Sequence, residues 1–401
     1  MRTTWSFYTA GQLVFGNGAV ENLGELAKRR GLQKFLVVTD QNLANAGIVD
    51  KATSPLKRSG VSIKIFEGGE AEPSIDVALE AIQAARDFEP DAIPGLGGGS
   101  NMDLAKITAI AFTHGGTPHD YFGFDNVPGP VVPLICVPTT SGTGSEVSHA
   151  AVLTDTANEI KVSSLSNYLR PALAVVDPLL TLSCPAKVTA DSGIDALTHA
   201  IEAYTAVDFD KMNVPRGETS AYEGRYPLGD CLSEKAIELV AQHLVTAVDN
   251  PSDMKAREGM SLAATIAGMA FSNCGVALVH ALEYPLGGAL HCSHGAGNGL
   301  LLPYVMRFNL PERKATLARI AKLMGKDISE MSEDEAAEQA ILAVEQLRRE
   351  IGIPERIRDI GGKADQIPRF AEKAFAIKRL QWVNPRKSTL DDFEEILRSA
   401  F

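Results

Sequence analysis

The pattern of apolar residues changes once along the chain, and this change limits the folds that the chain can adopt. Before about residue 185, short apolar runs alternate with segments of helical periodicity such as 20–30 and 76–88. Strands that alternate with helices predict a parallel, doubly wound sheet. The predicted buried strands are 34–40, 61–67, 91–99, 133–139 and 172–178.

After Pro185 the strongly patterned segments all have helical spacing, and none is typical of a strand. A chain of 401 residues is also long enough for two domains. We therefore predict a doubly wound, Rossmann-like α/β domain over residues 1–184 and an all-α domain over residues 185–401. The polar, aperiodic stretch 206–230 predicts a long loop, a kind of segment that often serves as a functional lid.

Composition excludes several classes of partner. The net charge of −12 argues against nucleic acids and anionic membranes, because both bind basic surfaces. The five cysteines form no CxxC pair, and their odd number suits reduced thiols. No signal-peptide pattern is visible, and no run reaches the ~20 apolar residues that a membrane-spanning helix needs. We expect a soluble, cytoplasmic protein with no membrane partner.

A glycine run follows the apolar part of the third predicted strand. Gly98, Gly99 and Ser100 stand between those apolar residues and a segment with helical character. Residues with little or no side chain let backbone N–H groups approach a phosphate, and the start of a helix adds a favourable dipole. The run matches neither GxGxxG nor GxxxxGK[ST], so a tight strand-to-helix turn is an equally good interpretation.

A second loop strengthens the phosphate hypothesis. The segment 138–146 also follows an apolar strand, and it offers the hydroxyls of Thr139, Thr140 and Thr143 beside two glycines. Hydroxyls and free amides suit a diphosphate or a ribose, and ligands of open α/β sheets bind beyond the carboxyl ends of the strands. Two such loops in one domain favour a dinucleotide cofactor.

Two charged residues are further candidates for that cofactor. Asp40 ends the first predicted strand, where a carboxylate can bind an adenosine ribose hydroxyl and repel a 2′-phosphate, which favours NAD over NADP. The alternative role of Asp40 is to cap the next helix. Lys161 follows the second loop and can meet a phosphate or a ribose, although a lone lysine is more often a solvated surface charge.

Four residues of metal-ligand type occur in two short segments of the second half. Asp195 and His199 are four positions apart, so on a helix they share one face. His280 and His294 flank a proline and a glycine pair that would let the chain turn back, in a protein with eight histidines in total. One oxygen and three nitrogen ligands suit Fe, Zn or Mn, which predicts a divalent metal site. Packed polar residues on core helices are the alternative.

Four motifs together resemble the iron-containing (group III) alcohol dehydrogenases. They are GGGSNMDLAK, PTTSGTGSEVS, DALTHAIEAY and HALEYPLGG followed by HG and NGLLLP, and they occur in family order over nearly the whole chain. The resemblance implies an NAD(P)-binding α/β domain, a helical metal-binding domain, an active site in the cleft between them, and a homodimer. It implies Fe(II), whereas ligand chemistry alone permits Zn(II) equally well.

The resemblance also implies roles for individual residues. The metal ligands of the family, one aspartate and three histidines, correspond to Asp195, His199, His280 and His294. The cofactor-binding positions correspond to Asp40, Gly98, Gly99, Ser100, Asp103, Thr139, Thr140, Thr143 and Lys161.

One position departs from the family pattern. Many members have a further histidine four residues after the third ligand, often assigned to proton transfer, and this chain has Tyr284 there. A tyrosine with a pKa near 10 can relay a proton, but it is less well matched to neutral pH than an imidazole. His291 is a second candidate for the relay, and a pocket-wall aromatic is the alternative role of Tyr284.

The predicted activity is that of a metal- and NAD(H)-dependent alcohol dehydrogenase or aldehyde reductase. In this hypothesis the metal acts as a Lewis acid and the nicotinamide carries the hydride. AYEGRYPLGD also resembles a segment of the hydroxyacid–oxoacid transhydrogenase branch, which makes a transhydrogenase or a 4-hydroxybutyrate-type dehydrogenase the main alternative. In that case Arg216 or Arg225 of the long loop is a candidate for holding a substrate carboxylate. A binding protein without activity and a metallohydrolase are less well supported.

Overall fold

The computed structural model describes residues 2–157 and 160–401, which form two compact units. One unit is Tyr8–Cys184. The other consists of the N-terminal segment up to Phe7 together with Pro185–Phe401. The predicted fold class is confirmed, because the first unit contains a parallel sheet with helices and the second is helical.

The unit Tyr8–Cys184 contains all the described strands and the first helices. Its strands are β1 (Leu13–Phe15), β2 (Lys34–Val38), β3 (Ser62–Phe66), β4 (Ile93–Gly97), β5 (Gly123–Phe124), β6 (Leu134–Pro138), β7 (Ala150–Asp155), β8 (Ile160–Leu165) and β9 (Leu173–Val176). Its helices are α1 (Leu23–Arg29), α2 (Gln41–Asn45), α3 (Ile48–Arg58), α4 (Ile75–Phe88) and α5 (Gly99–His114).

Six parallel strands form the main sheet in the order β1-β9-β6-β4-β2-β3, and β5-β8-β7 form a second, smaller sheet. Each of the five predicted strands contains one strand of the main sheet. β1 and β5 are too short to show a pattern in the sequence. β7 and β8 pair antiparallel and were missed although buried and half-buried residues alternate along β7, the periodicity of a strand with one covered face.

The main sheet is covered on both faces, which explains its continuous apolar strands. Leu36 and Val38 of β2 belong to a core cluster that also contains residues of α4 and α5. Phe35 and Val37, which point to the opposite face, belong to a second cluster with residues of α1 and α3. Helices therefore pack on both sides, as a doubly wound fold requires.

The second unit is built from nine helices within its described residues, and one hydrophobic cluster runs through it. An irregular segment between α6 and α7 occupies most of the predicted loop 206–230; α7 begins inside that range because Pro227 occupies its first turn. The helices are α6 (Ala186–Thr205), α7 (Pro227–Asp249), α8 (Met254–Cys274), α9 (Leu278–Leu290), α10 (His294–Leu323), α11 (Glu333–Glu350), α12 (Ile367–Phe375), α13 (Lys378–Gln381) and α14 (Leu390–Ser399).

Among the described residues, no single helix has both the length and the apolar character needed to cross a membrane. The pair formed by α8 and α9, which bend by 105° at their junction, passes this test by length and composition only.

Candidate functional site

Three helices of the second unit bring the predicted metal ligands together. Asp195 and His199 lie on α6, His280 lies on α9, and His294 is the first residue of α10. Donor atoms of Asp195, His280 and His294 all lie within 4.8 Å of one another. Three of the four predicted ligands therefore form a cluster that can hold a metal ion.

A glycine permits this convergence. A Cβ atom on Gly295 would lie 2.0 Å from the carbonyl oxygen of Asp191 and 3.1 Å from Cβ of Asp195. No side chain fits in that space, so the first turn of α10 can approach α6 only with glycine at this position. The close approach is what places His294 beside Asp195.

His199 lies at the edge of the cluster and is buried. Its Nδ1 is 3.8 Å from Oδ2 of Asp195. Its ring stacks on Phe271 with a centroid distance of 4.1 Å, and on His280 at 4.9 Å. The stacking holds the imidazole beside Asp195 and His280, although His199 is not one of the three residues whose donor atoms converge.

Two buried glutamates orient the histidines. His280 Nδ1 donates to Oε2 of Glu202 at 2.5 Å, and Oε1 of Glu202 accepts from the backbone N–H of Val279 at 2.8 Å. His294 Nδ1 donates to Oε2 of Glu283, also at 2.5 Å. A carboxylate is acceptor-only, so each Nδ1 carries the proton and each Nε2 keeps its lone pair for the cluster. This carboxylate–histidine arrangement is typical of metal sites.

The charges of the site also fit a dication. With Asp195 as the only carboxylate, the site with a divalent ion would carry a net charge near +1; the two buried glutamates bring the total to about −1. Burial by itself raises the pKa of Asp195. The three imidazoles around it and a hydrogen bond from Asn298 lower this pKa by a larger amount, so the net shift is downward. Two imidazoles and one carboxylate are a donor set that Fe(II) and Zn(II) both accept.

Sequence reasoning missed Glu202, Glu283 and Asn298, although helical spacing pointed to them. Glu202 follows His199 by three positions, Glu283 follows His280 by three, and Asn298 follows His294 by four. Each therefore shares a helix face with a ligand. A search of those faces for carboxylates and amides would have found all three.

We expect Glu283→Gln to weaken metal binding about 10- to 100-fold, because the glutamine cannot supply the negative charge that keeps His294 Nδ1 protonated and its Nε2 basic. Chelator competition with the purified protein measures the affinity. The partly exposed Glu238 of α7, changed to Gln, is the control. Equal affinities for the two variants would contradict an orienting role for Glu283.

The two candidates for proton transfer lie in different settings. Tyr284 is half-buried, and its ring lies 6.1 Å from the ring of His294 between centroids. His291 ends α9 with a left-handed backbone, φ 52°, and its side chain is exposed. The structure thus places Tyr284 beside a predicted ligand and His291 at a helix terminus.

Arg225 makes several contacts within the second unit. Its guanidinium donates to both carboxylate oxygens of Asp230 at 2.8 and 3.1 Å, and to the hydroxyl of Thr316 at 2.9 Å. It also lies over the ring of Tyr204, 4.8 Å from the centroid. These contacts use three of the five N–H donors of Arg225 within the protein and fix the guanidinium in place, so a structural role explains this arginine better than the hypothesis that it binds a carboxylate. Arg216 is exposed in the same loop.

The predicted cofactor loops in the first unit lie where its strand order reverses. From β2 the chain moves to β3 on one side, and from β4 it moves to β6 on the other. Asp40 follows β2, and Gly98 and Gly99 follow β4. Ligands of doubly wound sheets bind at such a reversal, beyond the carboxyl ends of the strands.

The two loops also touch each other. A Cβ atom on Gly99 would lie 2.9 Å from Oγ1 of Thr143, and one on Gly98 would lie 3.6 Å from Oγ1 of Thr140. Thr139 donates its backbone N–H to the carbonyl of Gly97 at 3.0 Å. Gly98 caps α5 without a side-chain hydrogen bond, so backbone N–H groups at the start of this helix suit an anion.

Asp40 performs the capping role that was its alternative interpretation. Its Oδ1 accepts from the backbone N–H of Leu43 at 3.0 Å, and its Oδ2 accepts from the Asn101 side chain at 2.6 Å. Two hydrogen bonds leave lone pairs on both oxygens, so the carboxylate is held in place and can still accept from a ribose.

The remaining predicted residues take part in polar networks of the first unit. Ser100 Oγ accepts from the backbone N–H of Glu72 at 3.2 Å, and Lys161 Nζ donates to Oε1 of Glu72 at 2.9 Å. Asp103 accepts from the hydroxyl of Ser145 at 2.6 Å and from the backbone N–H of Val152 at 3.0 Å. Asp103 thus joins α5 to the second loop, a contact that sequence reasoning had not foreseen.

Comparison with known proteins identifies relatives for both halves of the chain. Residues 10–178 match the family model of iron-containing alcohol dehydrogenase. Residues 219–401 match the model of the C-terminal part of the Fe-containing alcohol dehydrogenase family. Both halves of the chain therefore match models of one family.

Individual relatives cover almost the full length. The chain is 35% identical to the NAD-dependent methanol dehydrogenase of Bacillus methanolicus over 395 residues, 98% of this chain and 99% of that protein. It is 38% identical to the 1,3-propanediol dehydrogenase of Citrobacter freundii over 389 residues, 96% of each. A crystal structure of a 1,3-propanediol oxidoreductase superposes with a TM-score of 0.93 at 37% identity and covers 100% of both chains.

Proposed function

The chain belongs to the iron-containing alcohol dehydrogenase family, and we propose that it transfers hydride between NAD(H) and a small alcohol or aldehyde at a divalent metal site. The observation that carries the proposal is the convergence of Asp195, His280 and His294, with Nδ1 of both histidines bonded to buried glutamates. When bound, the metal supplies Lewis-acid chemistry at a substrate oxygen and the nicotinamide carries the hydride.

We assign the metal to Asp195, His199, His280 and His294. Iron is the first choice because of the family, and the same donor set suits zinc. Glu202 and Glu283 keep the two imidazoles in the ligating tautomer, and their buried charges balance the ion. Glu202 and Glu283 also hold the two histidine rings in place before the ion binds.

We assign the cofactor to the loops at the carboxyl ends of β2, β4 and β6. The uncapped start of α5, at Gly98, Gly99 and Ser100, suits the diphosphate. The carboxylate of Asp40 suits a ribose hydroxyl and opposes a 2′-phosphate, which supports NAD over NADP. Thr139, Thr140, Thr143 and Lys161 supply further donors around these loops. Asp103 is a supporting residue, because both of its oxygens are bonded within the protein.

Tyr284 is the proposed proton-transfer residue. It lies on the same helix as His280 and close to His294, and its hydroxyl Oη can pass a proton between a substrate oxygen and solvent. His291 is exposed at the end of α9, which makes it the weaker candidate.

Two measurements on anaerobically purified protein test the proposal. The first is metal analysis, and the second is NADH oxidation with a panel of short aldehydes that includes carboxylate-bearing ones. We expect a divalent ion in each chain, NADH oxidation that stops when a chelator removes the ion, and recovery when Fe(II) or Zn(II) is returned. Tyr284→Phe should keep the ion and lose rate in this screen. Protein that holds no ion and oxidises no NADH would refute the proposal. Turnover of a hydroxyacid–ketoacid pair without added NAD would favour a transhydrogenase instead.

A further inference from the structure

Asn298 lies in the middle of the ligand cluster, although no ligand role is implied for it by the sequence motifs. It stands on α10 one turn after His294, and its side chain is fully buried. Its Nδ2 lies 2.8 Å from Oδ1 of Asp195, 3.2 Å from Nε2 of His280 and 3.2 Å from Nε2 of His294. The amide group thus occupies the place where three ligand lone pairs converge.

The direction of these hydrogen bonds is set by the neighbouring glutamates. Because Glu202 and Glu283 hold the Nδ1 protons of His280 and His294, both Nε2 atoms are acceptors. Asp195 is an acceptor as well. All three therefore face the NH2 end of the amide, whose hydrogens carry partial positive charge. That group stands in for a cation among the ligands.

The other end of the same amide is less well placed. Oδ1 of Asn298 is buried and accepts no hydrogen bond from any group in the described part of the chain. A buried carbonyl oxygen without a donor is unfavourable and calls for an explanation. Oxygen and nitrogen of an amide are nearly equal in size, so rotation about the Cβ–Cγ bond exchanges them without changing the space that is filled.

A divalent ion in the cluster would reverse the preference of this amide. The ion takes the lone pairs of His280, His294 and Asp195, so hydrogens on Nδ2 would then point at a positive charge. Turning the amide over replaces that repulsion with attraction and gives Oδ1 a partner, since amide oxygens are good ligands for hard cations. Metal-free and metal-loaded protein therefore favour opposite orientations.

We propose that Asn298 is a metal-responsive residue. In the metal-free protein the two hydrogens of its NH2 group are shared among the three ligand atoms, and metal loading turns the amide so that Oδ1 faces the ion as an additional oxygen donor. This inference rests on the proposed metal-dependent function, and it adds an oxygen donor to the predicted ligand set of one aspartate and three histidines.

Release of Zn(II) from the loaded protein to an excess of chelator tests the proposal. We expect Asn298→Ala to release the ion about 10-fold faster than the unmodified protein, because an oxygen donor is lost. We expect Asn298→Asp to release it no faster, because the carboxylate keeps an oxygen at that position but cannot donate to Asp195. Both metal-free variants should unfold at lower temperature than the metal-free parent, since neither can bridge the three ligands.

The Co(II)-loaded proteins provide a second readout, because their visible absorption reports the donors around the ion. The spectrum of Asn298→Ala should differ from that of the parent. Asn309→Ala is the matched control: Asn309 is also a buried asparagine of α10, but it pairs with Asn384, and its replacement should leave release rate and spectrum unchanged.

The inference is overturned if Asn298→Ala releases Zn(II) at the rate of the parent and keeps its Co(II) spectrum. Equally fast release from Asn298→Ala and Asn298→Asp would also overturn it, because the amide would then act only as a donor to Asp195. Should the alanine variant fold poorly, the aspartate variant still tests the inference, because release of Zn(II) faster than from the parent would contradict the role of an oxygen donor at this position. A parent protein that binds no divalent ion would refute the proposed function itself, a result distinct from failure of the Asn298 variants.

Discussion

His280→Ala is expected to lose the bound metal and the dehydrogenase activity together. His280 supplies one of the three donors within 4.8 Å of one another, and its ring is fixed on both sides, by Glu202 through Nδ1 and by stacking on His199. The alanine variant would leave Glu202 buried without its imidazole partner. We expect metal content below about a tenth of the parent value and kcat/KM reduced about 10³-fold or more, which corresponds to about 4 kcal/mol of transition-state stabilisation.

Metal analysis and steady-state NADH oxidation on the same preparation measure both quantities. The control is His243→Ala, a half-buried histidine of α7 in the same unit, which should keep metal and activity. Circular dichroism must show that His280→Ala is folded. A folded variant that retains both metal and activity would refute the ligand assignment, whereas loss of activity with full metal content would assign His280 to another role.

The second large effect is expected from Lys106→Met in the first unit. Lys106 is fully buried, and its Nζ donates to the hydroxyls of Ser145 and Ser148 and to the carbonyl of Ala150, at 2.7, 3.2 and 2.7 Å. It also lies 3.7 Å from Oδ1 of Asp103. Burial lowers the pKa of Lys106 and raises the pKa of Asp103, and each residue partly offsets the shift of the other. Removing one member leaves the other charge buried.

We expect Lys106→Met to lower the free energy of unfolding by about 3–5 kcal/mol, the usual cost of breaking a buried ion pair. Denaturant unfolding followed by circular dichroism measures the change. The double variant Asp103→Asn/Lys106→Met should lose less than the two single variants added together, because it buries no unpaired charge. Lys57→Met, at an exposed pair with Asp50, should change stability by less than about 1 kcal/mol.

The same variant separates the roles of the two units. The network around Lys106 joins α5 to the loop that carries Thr143, so its loss should weaken NAD binding. The proposed metal ligands belong to the other unit, so metal content should remain at the parent level. A Lys106→Met protein as stable as the parent would show that the buried pair contributes little.

The sequence predicted those features that depend on local geometry. Asp195 and His199 share a helix face because four residues complete about one turn, and both residues do lie on one helix, α6. The strands of the main sheet were predictable because both of its faces are covered, which makes them uniformly apolar. The hairpin of β7 and β8 was missed because its strands mix polar with apolar residues and do not alternate with helices.

Helical spacing could have marked the two glutamates as candidates, but which histidine each of them bonds was beyond prediction. Glu202 and Glu283 were present in the quoted motifs, yet nothing in the sequence shows that one reaches from α6 to a histidine of α9 and the other from α9 to a histidine of α10. Lys106 is the last residue of the motif GGGSNMDLAK, and only the packed structure shows that it is fully buried.

Periodicity and residue chemistry are properties of short segments, so the sequence alone was enough to predict the class of fold, the family, and the candidate residues for a metal and a dinucleotide. Tertiary structure alone decided which of these residues meet. Gly295 lets α10 approach α6, which brings His294 to Asp195 and places Asn298 among the ligands. The charge of the site and the tautomers of its histidines follow from that packing, because they depend on distances between residues that are far apart in the chain.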